Sequence, residues 1–553
     1  MVWPVVDFRN VGSATYGGDA LLNAWALAWN NHVVLDGAPS YFDANIFYPT
    51  RLALARSEHL FGISLFTLPI YATTRNPLLA YDLVWLASFP TCALAAFGLS
   101  SLVASRFVSR FIAGLVYAFA FFRFEHAIHI QLLWAFALPL SLLALHRWWE
   151  SRSWASLTSW AALVTLQALT SWYLAVMCLL SNGLWLVWLC GRHRPRHGVQ
   201  LETRRFGMSP GWHRAALSLV LAVAVIGAVL WWFARPYTTL PPSQVEEVLA
   251  NVGNWRSYLM PPRATALGQF LAATGIALPK WSFETTNFLG FVPLWLALAG
   301  ILSARTRHNA DALRRGSVIA FFVALGLLAV VLSFGPREEA LRSGAFDWTP
   351  YGWLARLPGM QAFRVPARFA LLVVLSVAIL SAAGAETIAR WRRGGMLLWF
   401  AIPVLLLETL PVAYEIGRPH ELKIPRVYTL LRGLPPGPVV SLPAFTLPPE
   451  NWFEADYMLF STVHWRPIMN GFSRSSPLGH RARMRAIAAF PAPKAVQQLR
   501  RLGVRYVVMH TQRYGVDLRR PAAAALRAPS VELIAWTGED YLWRVGYSDG
   551  HAR

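Results

Sequence analysis

Apolar residues in this chain neither alternate nor recur at helical spacing; they run on. Long apolar stretches occupy residues 78–104, 111–122, 130–146, 154–171, 173–190, 215–234, 287–303, 317–333, 367–385 and 396–412. A helix needs roughly 20 apolar residues to cross a bilayer. The pattern therefore predicts about ten membrane-spanning helices, the second of them short. Residues 59–74 (HLFGISLFTLPIYATT) are also apolar, but too few to span and interrupted by Pro69. They predict an interfacial or re-entrant helix, ended by Asn76-Pro77.

The polar residues between these stretches alternate in kind. Arg106 and Arg110, then Arg147 and Arg152, then the group from Arg192 to Arg214, then Arg305, Arg307, Arg314 and Arg315, then Arg390, Arg392 and Arg393 fall in every second loop. Short arginine-rich loops stay in the cytoplasm. The remaining segments are expected outside it: residues 1–77, 123–129, the turn near 171–173, 235–286, 334–366 and everything after 413. Residues 1–58 lack the basic start and apolar core of a signal peptide. The simplest account of an outward 1–77 is one further helix upstream of Trp3-Pro4.

After 413 the long apolar runs stop. Residues 437–443, 504–510 and 531–536 read as strands, and 493–502, closed by Gly503, as a helix feeding the second of them. The expected division is thus an outer segment 1–77, a transmembrane domain 78–412, and a small outer α/β domain 413–553.

Composition agrees with a multi-pass membrane protein. Hydrophobic residues make up 56% and charged residues 14%, with 26 tryptophans, and mean hydropathy is +0.40. Trp concentrates at membrane interfaces. The net charge of +22 would suggest nucleic acid in a soluble protein, but here arginine sits in membrane loops, so no nucleic-acid partner is expected. Cys92, Cys178 and Cys190 lie in apolar stretches and predict neither a disulfide framework nor a zinc site.

The candidate chemistry lies in the outward set. In Tyr16-Gly-Gly-Asp-Ala-Leu-Leu-Asn-Ala-Trp, two glycines make a turn and Asp19 heads a helix. Asn23 and Asn30 share a polar face, while Trp25 and Trp29 share an apolar one, as suits a membrane surface. Asp19 is either an ordinary helix cap or a catalytic carboxylate. Asp43, in an aromatic-framed loop, and the Glu58-His59 pair belong to the same segment. They suit general-base or substrate-binding work, or else an Asx turn and a helix start. A second group is Arg123, Glu125, His126 and His129, where a metal site would need further ligands and sugar or phosphate contact fits better; the alternative is a solvated turn. Tyr173 sits at the next outward turn. A third group is Arg364 and Arg368 in FRVPARF. Arginine suits phosphate, and snorkelling towards headgroups is the competing role. There is no P-loop, GxSxG or HExxH.

Taken together, GGDALLNAWALAWN, YFDANIFYP, SEHLFG, FRFEH, FRVPARF and HWRPIMNG resemble a broad bacterial family of GT-C type membrane glycosyltransferases. The resemblance covers nearly the whole chain. It implies a polytopic α-helical membrane protein of GT-C type with a small extracytoplasmic α/β domain, in the bacterial plasma membrane. It implies transfer of a hexosyl or pentosyl group from a polyprenyl-phosphate carrier to an extracytoplasmic glycan, lipid or protein. By position Asp19 would be the catalytic carboxylate. Arg123, Arg364 and Arg368 would hold the donor phosphate, and Asp43, Glu58, His59, Glu125, His126, His129 and Tyr173 would bind substrate. No obligatory cofactor is implied; a divalent metal stays open, since Asp19 stands alone rather than in an Asp-x-Asp pair. The rival expectations are a transporter or flippase of a lipid-linked glycan, and a non-catalytic envelope assembly protein.

Overall fold

Helices occupy all ten of the predicted apolar stretches. The structure is a computed structural model that describes residues 18–38, 40–192, 210–239, 244–279, 282–304, 310–357, 360, 363–412, 424–448, 450–473 and 475–546. The turn at Tyr16-Gly17, the arginine groups 194–205 and 305–307, and the start of the outer domain at 413–423 lie outside the described residues. Among the described residues, seven helices are long and apolar enough to cross a membrane. The stretches 154–171, 287–303 and 396–412 form shorter helices, Trp154–Thr170, Phe291–Ser303 and Gly394–Thr409. The segment with Pro69 forms Phe61–Thr74.

The chain folds as two units, residues 1–84 with 415–553 and residues 85–414. The N-terminal and C-terminal segments, read as separate domains from the sequence, therefore build one unit together.

In that first unit the helix Gly18–Asp36 packs against Phe61–Thr74 and Glu454–Ser461. The expected surface helix is instead a core helix. Trp25 and Trp29 are 0% and 4% exposed, and Asn23 and Asn30, the supposed polar face, are buried too. Three of their N–H donors find acceptors inside. Trp25 Nε1 donates to Asn45 Oδ1 at 3.2 Å, Trp29 Nε1 to Tyr41 O at 2.9 Å, and Asn30 Nδ2 to His59 O at 2.7 Å. The loop 40–50 reaches residues from the far end of the sequence. Asn45 Nδ2 donates to Ser461 Oγ, and backbone hydrogen bonds join Ile468 N to Asn45 O, Tyr48 N to Ile468 O and Phe47 N to Asn470 O.

The C-terminal sheet has four strands, β1 (Val439–Leu442), β2 (Tyr506–His510), β3 (Val531–Thr537) and β4 (Asp540–Val545), in the order β1-β2-β4-β3. β1 and β2 are parallel; the other pairings are antiparallel. The helix Pro493–Arg501 feeds β2 as expected. β4 went unread in the sequence. Its signal was the short turn at Gly538-Glu539, where Gly538 takes φ +70° as a tight hairpin requires.

The second unit is built around the helix Ala370–Ile388, buried along nearly all its length and packed against Phe291–Ser303, Ala310–Ser333 and Phe107–Ala118. Small residues permit this. A Cβ on Gly384 would lie 1.9 Å from Leu296 O, and one on Gly300 2.4 Å from Leu380 O. Close approach at glycine is how helices pack where lipid removes the hydrophobic drive between them.

The spans read at 111–122 and 130–146 are interrupted. Residues 107–151 form four pieces, Phe107–Ala118, Phe121–Glu125, Ile130–Leu133 and Ala137–Ser151. Pro139 explains the last break, because it has no N–H to donate to Ala135 O. The Tyr117 hydroxyl donates to that carbonyl instead, at 3.0 Å. Gln167 fills the next gap: its Nε2 donates to Trp134 O at 2.9 Å and its Oε1 accepts from Leu138 N at 2.9 Å. Cys92 Sγ donates to Leu133 O and Trp85 Nε1 to Ala127 O. Irregular backbone survives at membrane depth only where protein groups satisfy it in this way. Gln167→Leu should therefore lower thermal stability in detergent, since two buried backbone groups lose their partner at about 1–3 kcal/mol each. An unchanged melting temperature would mean that the amide contributes nothing to the break.

Candidate active site

The broken stretch carries the ionisable residues of the second unit inward. Arg123 lies on Phe121–Glu125, while His126 and His129 lie in the link before Ile130–Leu133. The expected loop at the membrane edge is thus buried: Arg123 and His126 are 0% exposed and His129 4%. The two histidines do not share a helix face, but their ring centroids are 5.6 Å apart across the turn.

A carboxylate that the sequence did not single out organises this cluster. Glu284, in the short turn Phe283–Thr285, takes a two-point ion pair from Arg368, with Nε 3.0 Å from Oε2 and Nη2 2.5 Å from Oε1. Both side chains are buried. His126 Nε2 lies 3.2 Å from Glu284 Oε2, and His126 Nδ1 lies 3.1 Å from Phe122 O. Tyr173 completes the cluster: Arg368 Cζ stands 4.4 Å over its ring, and its hydroxyl accepts from Arg364 N at 3.3 Å. Arg364 itself points to a different acid, with Nη1 2.5 Å from Glu247 Oε1, in a half-buried pair. Arg364 and Arg368, four apart in sequence, diverge because Pro366 starts the short turn Pro366–Phe369 between them.

Arg123 stands differently. Its Nη2 donates to Ser88 O at 3.2 Å, and its Cζ lies 5.1 Å from the Phe89 ring centroid. Its Nε and Nη1 are buried without a hydrogen-bond partner among the described residues. A buried guanidinium left partly unpaired is costly, and ionisable groups within apolar spans are candidates for function. Glu125, beside the cluster, is partly buried.

Electrostatics in the cluster follow from burial and pairing. Burial is the strongest influence on Glu284 and opposes its charge. Arg368, followed by His126 and His129, outweighs it and holds the carboxyl well below the usual range. Burial lowers His126 to about 4 against the pull of Glu284, so its imidazole is neutral at pH 7.

In the first unit Asp19 lies in the first turn of Gly18–Asp36, where a carboxylate meets the positive end of the helix. The turn is tightly packed: a Cβ on Gly18 would meet the Phe472 ring at 3.0 Å and Trp452 Cβ at 3.2 Å. Asp43 shapes its own loop, accepting from Leu52 N at 2.7 Å and pairing with Arg51 at 3.3 Å. Glu58 is partly buried. His59 is fully buried, held near pKa 3 by that burial, and its Nδ1 accepts from Phe61 N at the start of Phe61–Thr74. Asp43 and His59 thus each accept a backbone N–H, Asp43 from Leu52 nine residues on rather than within an Asx turn, and His59 at the helix start expected of Glu58. Among the described residues no group of three or more His, Cys, Asp or Glu side chains is placed to hold a metal ion.

The fold of apolar helices with a small C-terminal sheet is of GT-C type, and the protein is a multi-pass membrane protein. It belongs to the family described as domain of unknown function DUF6311, whose family model matches residues 5–408. No curated protein matches the sequence. Among solved structures the chain is similar to the arabinofuranosyltransferase AftD from Mycobacteria, with TM-score 0.55 and 12% identity, covering 97% of this chain and 40% of that one. It thus spans about two-fifths of AftD's length. It is also similar to the archaeal oligosaccharyltransferase AglB from Archaeoglobus fulgidus, solved with an inhibitory peptide and a dolichol-phosphate. There the TM-score is 0.42 and the identity 13%, covering 92% of this chain and 67% of that one. For ArnT from Cupriavidus metallidurans bound to undecaprenyl phosphate the TM-score is 0.35 and the identity 11%, with coverage of 97% and 94%.

Two outcomes are expected of the cluster. Arg368→Met should destabilise the protein by about 3–5 kcal/mol, because Glu284 is left buried without its cation, and adding Glu284→Gln should recover much of the loss; no recovery would mean that the two do not act as a pair. Stability should also fall with acid. The unfolded chain protonates its histidine near 6.5 and its glutamate near 4.5 before the folded one does, so protons favour unfolding. The His126 contribution is lost between about pH 6.5 and 4, and that of Glu284 below about 4.5. Melting curves of His126→Gln should be flatter over the upper window, and curves parallel to wild type would contradict this.

Proposed function

We propose that the protein is a membrane glycosyltransferase that moves a sugar from a polyprenyl-phosphate carrier to an acceptor outside the cytoplasm. The observation that carries this reading is Arg123, a buried guanidinium within an apolar span, whose Nε and Nη1, without an acceptor among the described residues, suit a phosphate oxygen. The GT-C fold and the activity named for AftD support the class of reaction. The alternation of arginine-rich loops supports an outward site.

In this reading Asp19 accepts the proton of an acceptor hydroxyl as that oxygen attacks the anomeric carbon. The bond from that carbon to the phosphate oxygen breaks, and the phosphate leaves with the electron pair. Arg123 meets the charge that develops on it, the kind of preorganised electrostatic aid that contributes most to such steps. Arg364 and Arg368 contribute to the same cationic surroundings while paired with Glu247 and Glu284. The acceptor is a cell-envelope glycan, lipid or protein, and the transferred group a hexose or pentose. The chemistry as written needs no metal.

Asp19→Asn keeps shape and removes basicity, so it should lower the transfer rate by about 10²–10⁴-fold. Mass spectrometry of lipid extracts from the parent strain, a deletion strain and an Asp19→Asn strain at normal protein level tests this. A polyprenyl-phosphate sugar should accumulate in both altered strains beside an unmodified acceptor. If only the deletion changes the lipids, Asp19 is a helix cap and the flippase reading replaces this one.

A further inference from the structure

The segment between the helices Ala310–Ser333 and Ala370–Ile388 carries an aromatic corner that the transfer chemistry above leaves unused. Trp348 is 71% exposed and Trp353 54%. Their ring centroids are 6.0 Å apart at 69°. Phe346 backs both, 4.3 Å from Trp348 and 5.1 Å from Trp353, and the Arg356 guanidinium lies 3.7 Å over the Phe346 ring.

The corner is held firmly from beneath. The buried Asp347 carboxylate accepts four hydrogen bonds: from Arg337 N at 3.0 Å, Arg337 Nε at 3.3 Å, Thr349 N at 3.0 Å and Thr349 Oγ1 at 2.9 Å. Thr349 then caps the short helix Pro350–Leu354 by accepting from Gly352 N. Gly352 fits where no larger residue would, since a Cβ there would lie 2.3 Å from Asp347 O. Tyr351 fastens the other side, donating to Phe363 O at 3.0 Å.

We propose that this corner is a glycan-binding subsite, in which a neutral sugar ring stacks on Trp348 with Trp353 as its wall. It rests on the glycosyltransferase reading for its purpose, which is to hold the sugar chain of the acceptor. An aromatic face is electron-rich and suits the C–H face of a sugar, while a few fixed polar groups orient the ligand. Arg337 and Arg356 border the rings and supply donors to hydroxyl groups.

Two features favour a sugar over a lipid surface. A fluid interface needs no fixed angle between two indoles, whereas here Asp347 fixes the turn that presents them. Among the described residues most cations of the rim are offset by acids, which weakens a hold on anionic lipid: Arg337 lies 3.3 Å from Asp347. Arg342 is paired with Glu338 at 2.9 Å and with Glu246 at 3.3 Å, and both glutamates are exposed.

The test uses the full-length protein in detergent micelles on an array of neutral and acidic oligosaccharides. Wild type should retain a subset of neutral glycans. Trp348→Ala/Trp353→Ala, with an unchanged melting temperature, should lose them at least tenfold, and Asp19→Asn should keep them. An empty array for wild type, or equal binding by the double variant, overturns the proposal. So does quenching of wild-type tryptophan emission in vesicles of brominated phosphatidylcholine and phosphatidylglycerol beyond that of the double variant, which would put the rings in the bilayer. Glycan binding by a wild-type protein that transfers no sugar would sink the transferase reading and leave the subsite standing.

Discussion

Arg368 and Glu284 meet away from water through two hydrogen bonds, and that meeting joins the turns around the central helix of the second unit. The pair ties the turn ahead of the central helix Ala370–Ile388 to the turn Phe283–Thr285, while His126 and Tyr173 bring in the broken stretch and a third helix. Apart from Tyr173, which lies on the helix Trp172–Arg192, none of these contacts comes from a regular α-helix. The turns must find hydrogen bonds outside a helical ladder, and a buried ion pair gives a specific reason for one arrangement over others.

The same constraint explains the broken spans. Pro139 removes one donor, and the side chains of Tyr117 and Gln167 supply what the ladder loses. The irregular backbone then carries Arg123, His126 and His129 to the depth of the apolar helices. In that arrangement Arg123 keeps Nε and Nη1 buried without an acceptor among the described residues.

The positions of the apolar helices were legible because burial in lipid demands unbroken apolar runs. Three strands and the helix Pro493–Arg501 were legible from local pattern. Glu284 and Glu247 were not, because each sits in a short turn or helix and its partner lies 84 and 117 residues away; no periodicity encodes such a pairing. Trp25 and Trp29 misled for a related reason. Tryptophan at helical spacing fits a membrane interface and a protein core equally, and only the packing of Glu454–Ser461 against their helix decides for the core. Asp43 and His59 hold backbone in place, which the residue types alone left open. For Asp19 the helix start was legible, whereas the packing of Phe472 and Trp452 against the neighbouring Gly18 came only with the fold.

The central claim is that the unmet donors of Arg123 serve a lipid phosphate. Native mass spectrometry of the full-length protein titrated with undecaprenyl phosphate tests it most directly, comparing wild type with Arg123→Gln, which keeps an amide donor but removes the charge. The account predicts one retained lipid phosphate per wild-type chain and at least a tenfold weaker retention by the variant at equal folded fraction. Equal retention by the two proteins would contradict it.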